Sequence, residues 1–488
     1  MGFRWLVPKC AEFDREDIEK IVDASIRILR EVPWTIDGTV EFMEYLRNFG
    51  FQIEGNKVRF TPEVIEKTLA RIKEEKQKNL SRGGDKYPVA PQEIRYAASG
   101  QALWAHDIEK DTIRPATKDD LADFSRVVNT YPGLDRTHPT FIPTDAPLKT
   151  RELHAYITIM LNSDKPYRVS CYSPEILDYF VEANTIYYGS REEGIKKLLL
   201  PCKVWINTPF MISRDGIEAA MKLRALTGRT LDYTAMPVCG VATPVTYDGA
   251  LTLITAEVIG VNAIGLAVDS VLPRWMTGIM GFDMKGGIFR EWSPQTLILN
   301  TAGAQISSYL FGTSPFGMST GNLFYTSAKK PGLQSAMEKA FGMAIVFASG
   351  GRNFGALGTL ADGDVGSILQ LVIDMELISA IKEFVKGFDI SDETIGEDLI
   401  KEISVRGAYF LDSMHTFQYY RRYGWISELM DTQFPSAWIN NPKEMLDNAR
   451  EKARELIKNA PNRCPLDENK KKELLNLLKI ADEKLGER

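Results

Sequence analysis

The chain has 488 residues, 44% of them hydrophobic and 25% charged, with a formal net charge of −6. That is the composition of a soluble globular protein with a large core, and it lacks the basic footprint of a nucleic-acid binder. No run of about 20 apolar residues reads as a membrane span, and MGFRWLVPKCAEFDRED holds no apolar run long enough for a signal peptide.

The first predicted helix covers 13–32, with Ile18, Ile21, Val22, Ile26 and Leu29 at helical spacing. A second covers 38–49. Gly55-Asn56 between alternating residues signals a hairpin. Thr61-Pro62-Glu63 opens a third helix, with Thr61 as cap and Pro62 in the first turn, where no N–H is needed. The charged 73–86 stretch reads as an exposed link, and 93–112 as short strands and turns. Thr117 to Asp120 forms a capping-box variant ahead of a helix over 121–128.

Strands and helices then alternate. Strands are expected over 140–143, 167–171, 203–207, 231–238, 274–278, 316–320 and 352–357. Helices are expected over 150–161, 173–188, 213–226, 248–264, 293–310, 332–348 and 366–385. Ser173-Pro174-Glu175 and Ser293-Pro294-Gln295 repeat the cap-then-proline signal. The stretch LDYTAMPVCGVATPVTYDGALTLITAEVIGVNAIG, 231–265, shows the unit most clearly: a short apolar strand, a loop with Gly240 and Pro244, and a helix capped by Asp248.

This series predicts an α/β fold with parallel strands, and its length favours a (β/α)8 TIM-type barrel over an open sheet. The barrel core is assigned to 136–390, with an N-terminal helical and β-hairpin extension over 1–135 and C-terminal helices over 391–488. The eighth strand falls either in 96–104 or near 408–411. No GxGxxG follows the first strand, and no P-loop occurs. Beyond the barrel, Ser391 caps a helix over 392–405, and the aromatic HTFQYYRRYGW follows. Asn441-Pro442 opens another helix, and 469–485 reads as a solvated helix.

The chemistry is defined first by what is missing. His106, His138, His154 and His415 form no HxH or HExxH pair, so no tightly bound metal is expected. Cys10, Cys171, Cys202, Cys239 and Cys464 contain no CxxC and fit a reducing cytoplasm. Cys171, Cys202 and Cys239 lie near strand ends but not on one face, so buried free thiols are expected. No G-x-S-x-G elbow supports acyl transfer. Asp283 and Glu291 could be surface or capping carboxylates, whereas Asp374 and Glu376 fall mid-helix and read as structural.

At or just past the strand ends stand Tyr172, Asn207, Met236, Phe282, Met318, Phe324 and Tyr325. Aromatic faces there could hold a cation such as a quaternary ammonium, or could simply pack the top of the barrel.

Several long stretches resemble the trimethylamine:corrinoid methyltransferase family, in its branch without pyrrolysine. They include DREDIEKIVDASIRILREV, IRPATKDDLADFSRVVNTYPGLD, RELHAYITIMLNSDKPYRVS, MPVCGVATPVTYDGALTLITAEVIG, FDMKGGIFREWSPQTLILNTAGAQ, QLVIDMELISAIKEFVKGFDIS and GAYFLDSMHTFQYYRR. Their shared order covers some 400 residues. The resemblance implies a (β/α)8 barrel that moves a methyl group from a betaine-type quaternary amine to Co(I) of a corrinoid (cobalamin) carried by a partner protein, in the cytoplasm. A homo-oligomer is possible, and neither a nucleic acid nor a membrane is implied.

Under that resemblance Tyr172, Phe282, Phe324 and Tyr325 supply aromatic surface beside Met236. Asn207 anchors the substrate, and Asp283 orients it or its loop. SPFGMSTGNLFYTSAKKPGLQ is similar to the pyrrolysine-bearing region, with Tyr325 at about that position, which disfavours a tertiary amine. Gly355 in RNFGALG stands where many members carry a histidine, which bears on whether the substrate has a carboxylate. LREVPWTIDGTV also departs from the family's pattern. A sulfonium or methoxy donor, or a non-catalytic homologue that binds a methylated amine, remain the alternatives.

Overall fold

The computed structural model describes residues 13–81, 93–134, 139–165, 168, 171, 173–273, 278–312, 324–388 and 390–486. It is a mixed α/β protein in which helices dominate and the strands are short.

The N-terminal extension is part of the body. Its helix Arg15–Glu31 buries Ile18, Ile21, Val22, Ser25 and Leu29, and the Ser25 hydroxyl donates to the Thr252 carbonyl at 2.8 Å. Gly55-Asn56 turns a hairpin between Gln52–Glu54 and Lys57–Arg59. Lys57–Arg59 pairs antiparallel with Trp34–Ile36, which runs parallel to Met211–Ile212. That short strand folds back on Lys203–Asn207, whose other edge is parallel to Asp232–Thr234. One mixed six-stranded sheet thus joins the extension to the alternating region.

The long helix Tyr247–Asp269 lies behind that sheet with most of its length buried. By length and apolarity it could cross a membrane, but 83% of its apolar window is packed inside the protein, so it is a core helix. Gly260 on this helix makes room for the buried Trp34 ring: a Cβ there would lie 2.5 Å from Trp34 Cζ2.

The parallel pairings of the alternating region are dispersed. Asn353–Leu357 runs parallel to Arg95–Ala98, with a register shift between Phe354 and Leu357. Ala102 bridges Phe141, and Val238 bridges Met280. Among the described residues the sheets do not join into one closed ring. Of the two positions expected for the eighth strand, Arg95–Ala98 is a strand, while 408–411 runs into the 3-10 turn Phe410–Asp412. The strand expected over 140–143 is reduced to the Phe141 bridge, and that over 231–238 to Asp232–Thr234 and the Val238 bridge. The strand expected over 316–320, and most of those over 167–171 and 274–278, lie outside the described residues.

Several helix ends differ from expectation. The helix expected from Ser173 begins at Leu177. Thr246, not Asp248, is the N-cap of the long helix, and Asp248 sits in its first turn. The 392–405 helix is broken at Gly396, whose φ of 64° ends one helix and starts the next. Asn441-Pro442 does not open a helix; the next one starts at Met445. The last helix, Glu468–Leu485, is not merely solvated but buries Leu474, Leu477, Leu478 and Ala481.

Candidate functional site

The site is built where three loops meet. The first follows a hairpin that the sequence reading did not anticipate. Gly281–Asp283 pairs with Ile288–Arg290, and Thr296 closes its base, accepting from the Gly281 N–H at 2.7 Å and donating to the Arg290 carbonyl at 2.5 Å. The chain then passes through Glu291 and Trp292 into the helix Pro294–Phe311. Ser293 caps that helix by accepting from the Thr296 N–H at 3.2 Å. The cap fixes the direction in which Glu291 and Trp292 leave the hairpin.

The second loop is 324–328 and the third is the tight turn Ala361–Gly363, in which Asp362 takes a left-handed φ of 53°. The Asp362 N–H donates to the Thr326 carbonyl at 2.7 Å, and the Ala361 N–H to the Ala328 carbonyl at 2.8 Å. Glu338 ties down the second loop, accepting from the Thr326 hydroxyl at 2.5 Å and the Ser327 N–H at 2.8 Å. Trp292 Nε1 donates to Ser327 Oγ at 2.9 Å, and Ser327 Oγ donates to Asp362 Oδ2 at 2.6 Å. The Glu291 N–H reaches Asp362 Oδ1 at 3.2 Å. A hydrogen-bonded chain therefore links all three loops.

The Glu291 side chain is the exception within this network. The residue is only 7% exposed, yet no described residue donates a hydrogen bond to its carboxylate. Burial, and then the neighbouring Asp362 charge, push its carboxyl well above the usual range. Asp362 is also raised, chiefly by burial, against the opposing bonds from Ser327 and Glu291. The Tyr325 hydroxyl is pushed up by burial and by both carboxylates. The Tyr325 ring lies against the turn, 3.3 Å from where a Cβ on Gly363 would stand. Two carboxylates, one without a donor, beside a tyrosine ring form an environment that a bound cation would stabilise.

The residues anticipated from sequence divide. Tyr325 belongs to this cluster. Phe282 and Asp283 sit on the hairpin that leads into it, but Asp283 is already engaged: it pairs with Arg290 and accepts from the Lys285 N–H at 3.0 Å. Its carboxyl is held low by the Gly286 and Lys285 N–H groups and by Arg290. Phe324 is fully buried, its ring in an edge-on arrangement with Phe354 and facing the Lys339 ammonium 4.6 Å from its centroid. Gly355 is buried in the strand at the register shift. Asn207 ends its strand exposed, opposite Met211, and Met236 is half exposed. Met236 precedes the Val238–Met280 bridge that leads towards the hairpin. Tyr172, Met318 and His138 lie outside the described residues.

Nothing in the sequence singles out Asp362, and Glu291 reads there only as one acidic residue among several. A usable signal was present: Glu291-Trp292 stands directly ahead of the Ser293-Pro294 cap, so a carboxylate enters a helix from an apolar stretch. Among the described residues no three His, Cys, Asp or Glu side chains converge as metal ligands. Cys202 and Cys239 are buried, Cys171 is partly so, and burial raises all three thiols.

Residues 3–485 match the family model described as trimethylamine methyltransferase (MTTB). The chain is similar to the trimethylamine methyltransferase MttB of Methanosarcina thermophila, with 24% identity over 348 residues, 70% of each chain. It is similar to MttB of Methanosarcina barkeri, with 24% identity over 367 residues, 74% of this chain and 72% of the relative. A bacterial relative, MttB of Desulfitobacterium hafniense, is 23% identical over 351 residues, 71% of this chain and 68% of its own.

Proposed function

This chain belongs to the trimethylamine methyltransferase family, and on that premise we propose that it moves a methyl group from a betaine-type quaternary amine to cobalt(I) of a corrinoid carried by a separate protein. The observation that carries the substrate half of this reading is the buried Glu291 carboxylate, which accepts from no donor among the described residues, beside Asp362 and Tyr325. A quaternary ammonium offers no N–H, so a site built for it needs negative charge and aromatic faces rather than hydrogen-bond acceptors in fixed directions. Tyr325, at about the position where pyrrolysine stands in trimethylamine members, favours the quaternary over the tertiary amine.

The parallel pairings described above read as seams of a (β/α)8 barrel, with Asn353–Leu357 closing onto Arg95–Ala98. Active sites of such barrels lie on the loops after the strands. In this reading Glu291, Asp362 and Tyr325 form the floor of the mouth, and Asn207, Met236, Phe282 and Phe324 supply or support its wall; Tyr172 is proposed as a further aromatic contact from its place in the sequence alone. Asp283 holds the hairpin through Arg290, and Gly355 lies within the bulge before the Asp362 turn, next to Ala356 with its left-handed φ of 60°.

The chemistry asks little of the protein beyond placement. As the methyl carbon passes to the metal nucleophile, the C–N electron pair stays on nitrogen and a neutral tertiary amine leaves. The carboxylates hold the cation, the aromatic faces orient it, and the closed mouth excludes water. Acting in the cytoplasm, the corrinoid protein covers that mouth.

The test mixes the protein with a reduced corrinoid protein and a panel of betaines, trimethylamine and sulfonium compounds. Loss of the cobalt(I) absorbance with one quaternary amine, with an equal amount of its demethylated product, is the expected result. Silence with every quaternary amine, alongside turnover of a sulfonium or of trimethylamine, overturns the substrate assignment.

A further inference from the structure

The segment between Ser391 and Asn440 folds without a core of its own. Its helices are Asp392–Ile395, Glu397–Arg406, Met414–Tyr423 and Pro435–Asn440, with the 3-10 turn Phe410–Asp412, and together they bury only Ile403. Every one of these helices is ten residues or shorter. Helices of that length are marginal in water and depend on packing for their stability. The packing side chains are present but uncovered: Val405 is 89% exposed, Tyr409 85%, Leu411 79%, Phe417 81%, Phe434 82% and Ile439 73%.

The segment is nonetheless fixed to the body. Lys386 donates to the Arg422 carbonyl at 3.0 Å, Trp425 Nε1 to Ser379 Oγ at 3.1 Å, and Asn448 to the carbonyl of the buried Leu429 at 2.8 Å. Ser427 and the Glu428 N–H close on the buried Glu376. It is an anchored arm rather than a loose tail.

We infer that this arm is a self-association surface, covered by the same arm of a second copy of this chain. An aromatic ring carries about 150–250 Å². The exposed apolar side chains therefore amount to on the order of 1,000 Å², which meets the roughly 800 Å² that each partner gives to a stable interface. A predominantly apolar face of this kind belongs to permanent assemblies, which resemble a core cut in two. A corrinoid carrier that arrives and leaves in each cycle would return the face to water every time.

Sedimentation velocity of the full chain, over a dilution series, tests this. The expected mass is twice the 54.9 kDa chain or an even multiple of it, and the triple variant Phe417→Lys/Phe434→Lys/Ile439→Lys falls to half that mass or less. Hydrogen exchange on the wild-type protein covers the case in which the variant misfolds: amides of 391–440 are protected when associated and lose protection on dilution. A monomer at every concentration overturns the inference, as does a variant that keeps the wild-type mass. Protection of the arm that appears only when a corrinoid protein is added also overturns it, and assigns the surface to that partner.

Discussion

Lys339 Nζ lies 2.6 Å from Asp374 Oδ2, with neither side chain exposed to solvent. The pair joins the helices Leu333–Ala348 and Ile368–Lys386 beneath the strand that leads to the Asp362 turn. Asp374 also accepts from the Gly358 N–H and from Gln370, each at 2.8 Å. Breaking one half of such a pair strands a buried charge, so Lys339→Met should cost about 3–5 kcal/mol in urea unfolding. Adding Asp374→Asn removes the stranded charge while the amide oxygen still accepts from Gly358. The double variant should recover at least half of the loss. A double variant as unstable as the single one would place the cost in packing instead.

That pair marks the limit of what the sequence discloses. Asp374 reads as structural because it falls mid-helix among Leu, Val and Ile, and it is. Its partner is 35 residues away, and no local pattern names it. Signals contained within one turn were legible: the Thr117–Asp120 capping box, the Ser293 cap and the Gly55-Asn56 hairpin all form. Arg95–Ala98 has no β-branched residue, and it is a strand because Asn353–Leu357 lies alongside it. Glu291 and Asp362 come together from 71 residues apart. Each alone looks like a surface carboxylate, and only their shared burial distinguishes them.

Glu257 should make stability depend on pH. Fully buried in the long helix, it accepts from the Phe210 N–H and Thr208 hydroxyl at 2.9 Å each, and burial pushes its carboxyl up to about 7. A carboxyl raised above its unfolded value of about 4.3 binds its proton more tightly when folded, so it costs nothing below that value. The penalty grows as pH rises towards 7 and then levels off, approaching about 4 kcal/mol. Gln at this position does not titrate. The stability of wild type minus that of Glu257→Gln should therefore fall by most of that amount from about pH 4 to about pH 8. A difference that does not change with pH would show that Glu257 is not the source.

The last helix should prove necessary to the body. Asp482 accepts from the buried Thr150 hydroxyl at 2.5 Å and faces His154 Nε2 at 3.0 Å. Asp482→Ala leaves both groups without this partner and should cost about 1–2 kcal/mol. Glu483→Ala, one residue further along an exposed face, should change stability by less than about 0.5 kcal/mol. Equal effects of the two in chemical denaturation would mean that the helix contributes only through its apolar side chains.

The carboxylate pair makes the sharpest prediction about the site. Asp362→Asn keeps a residue that tolerates the left-handed turn and removes one negative charge without emptying the space. Its affinity for tetramethylammonium should fall about ten-fold, roughly 1.4 kcal/mol, while affinity for a neutral tert-butyl isostere stays the same. Glu291→Gln should behave alike. Because burial raises both carboxyls, they are partly protonated where ordinary carboxylates are fully ionised. Their negative charge grows with pH, so cation affinity should rise with pH above the usual carboxylate range. A bound cation favours the ionised form and should expel protons. Calorimetry in two buffers of different ionisation enthalpy measures that release directly. Release in the wild type that is lost in Glu291→Gln would tie the cation to this carboxylate. Binding without proton release, and unchanged in both variants, would place the cation elsewhere.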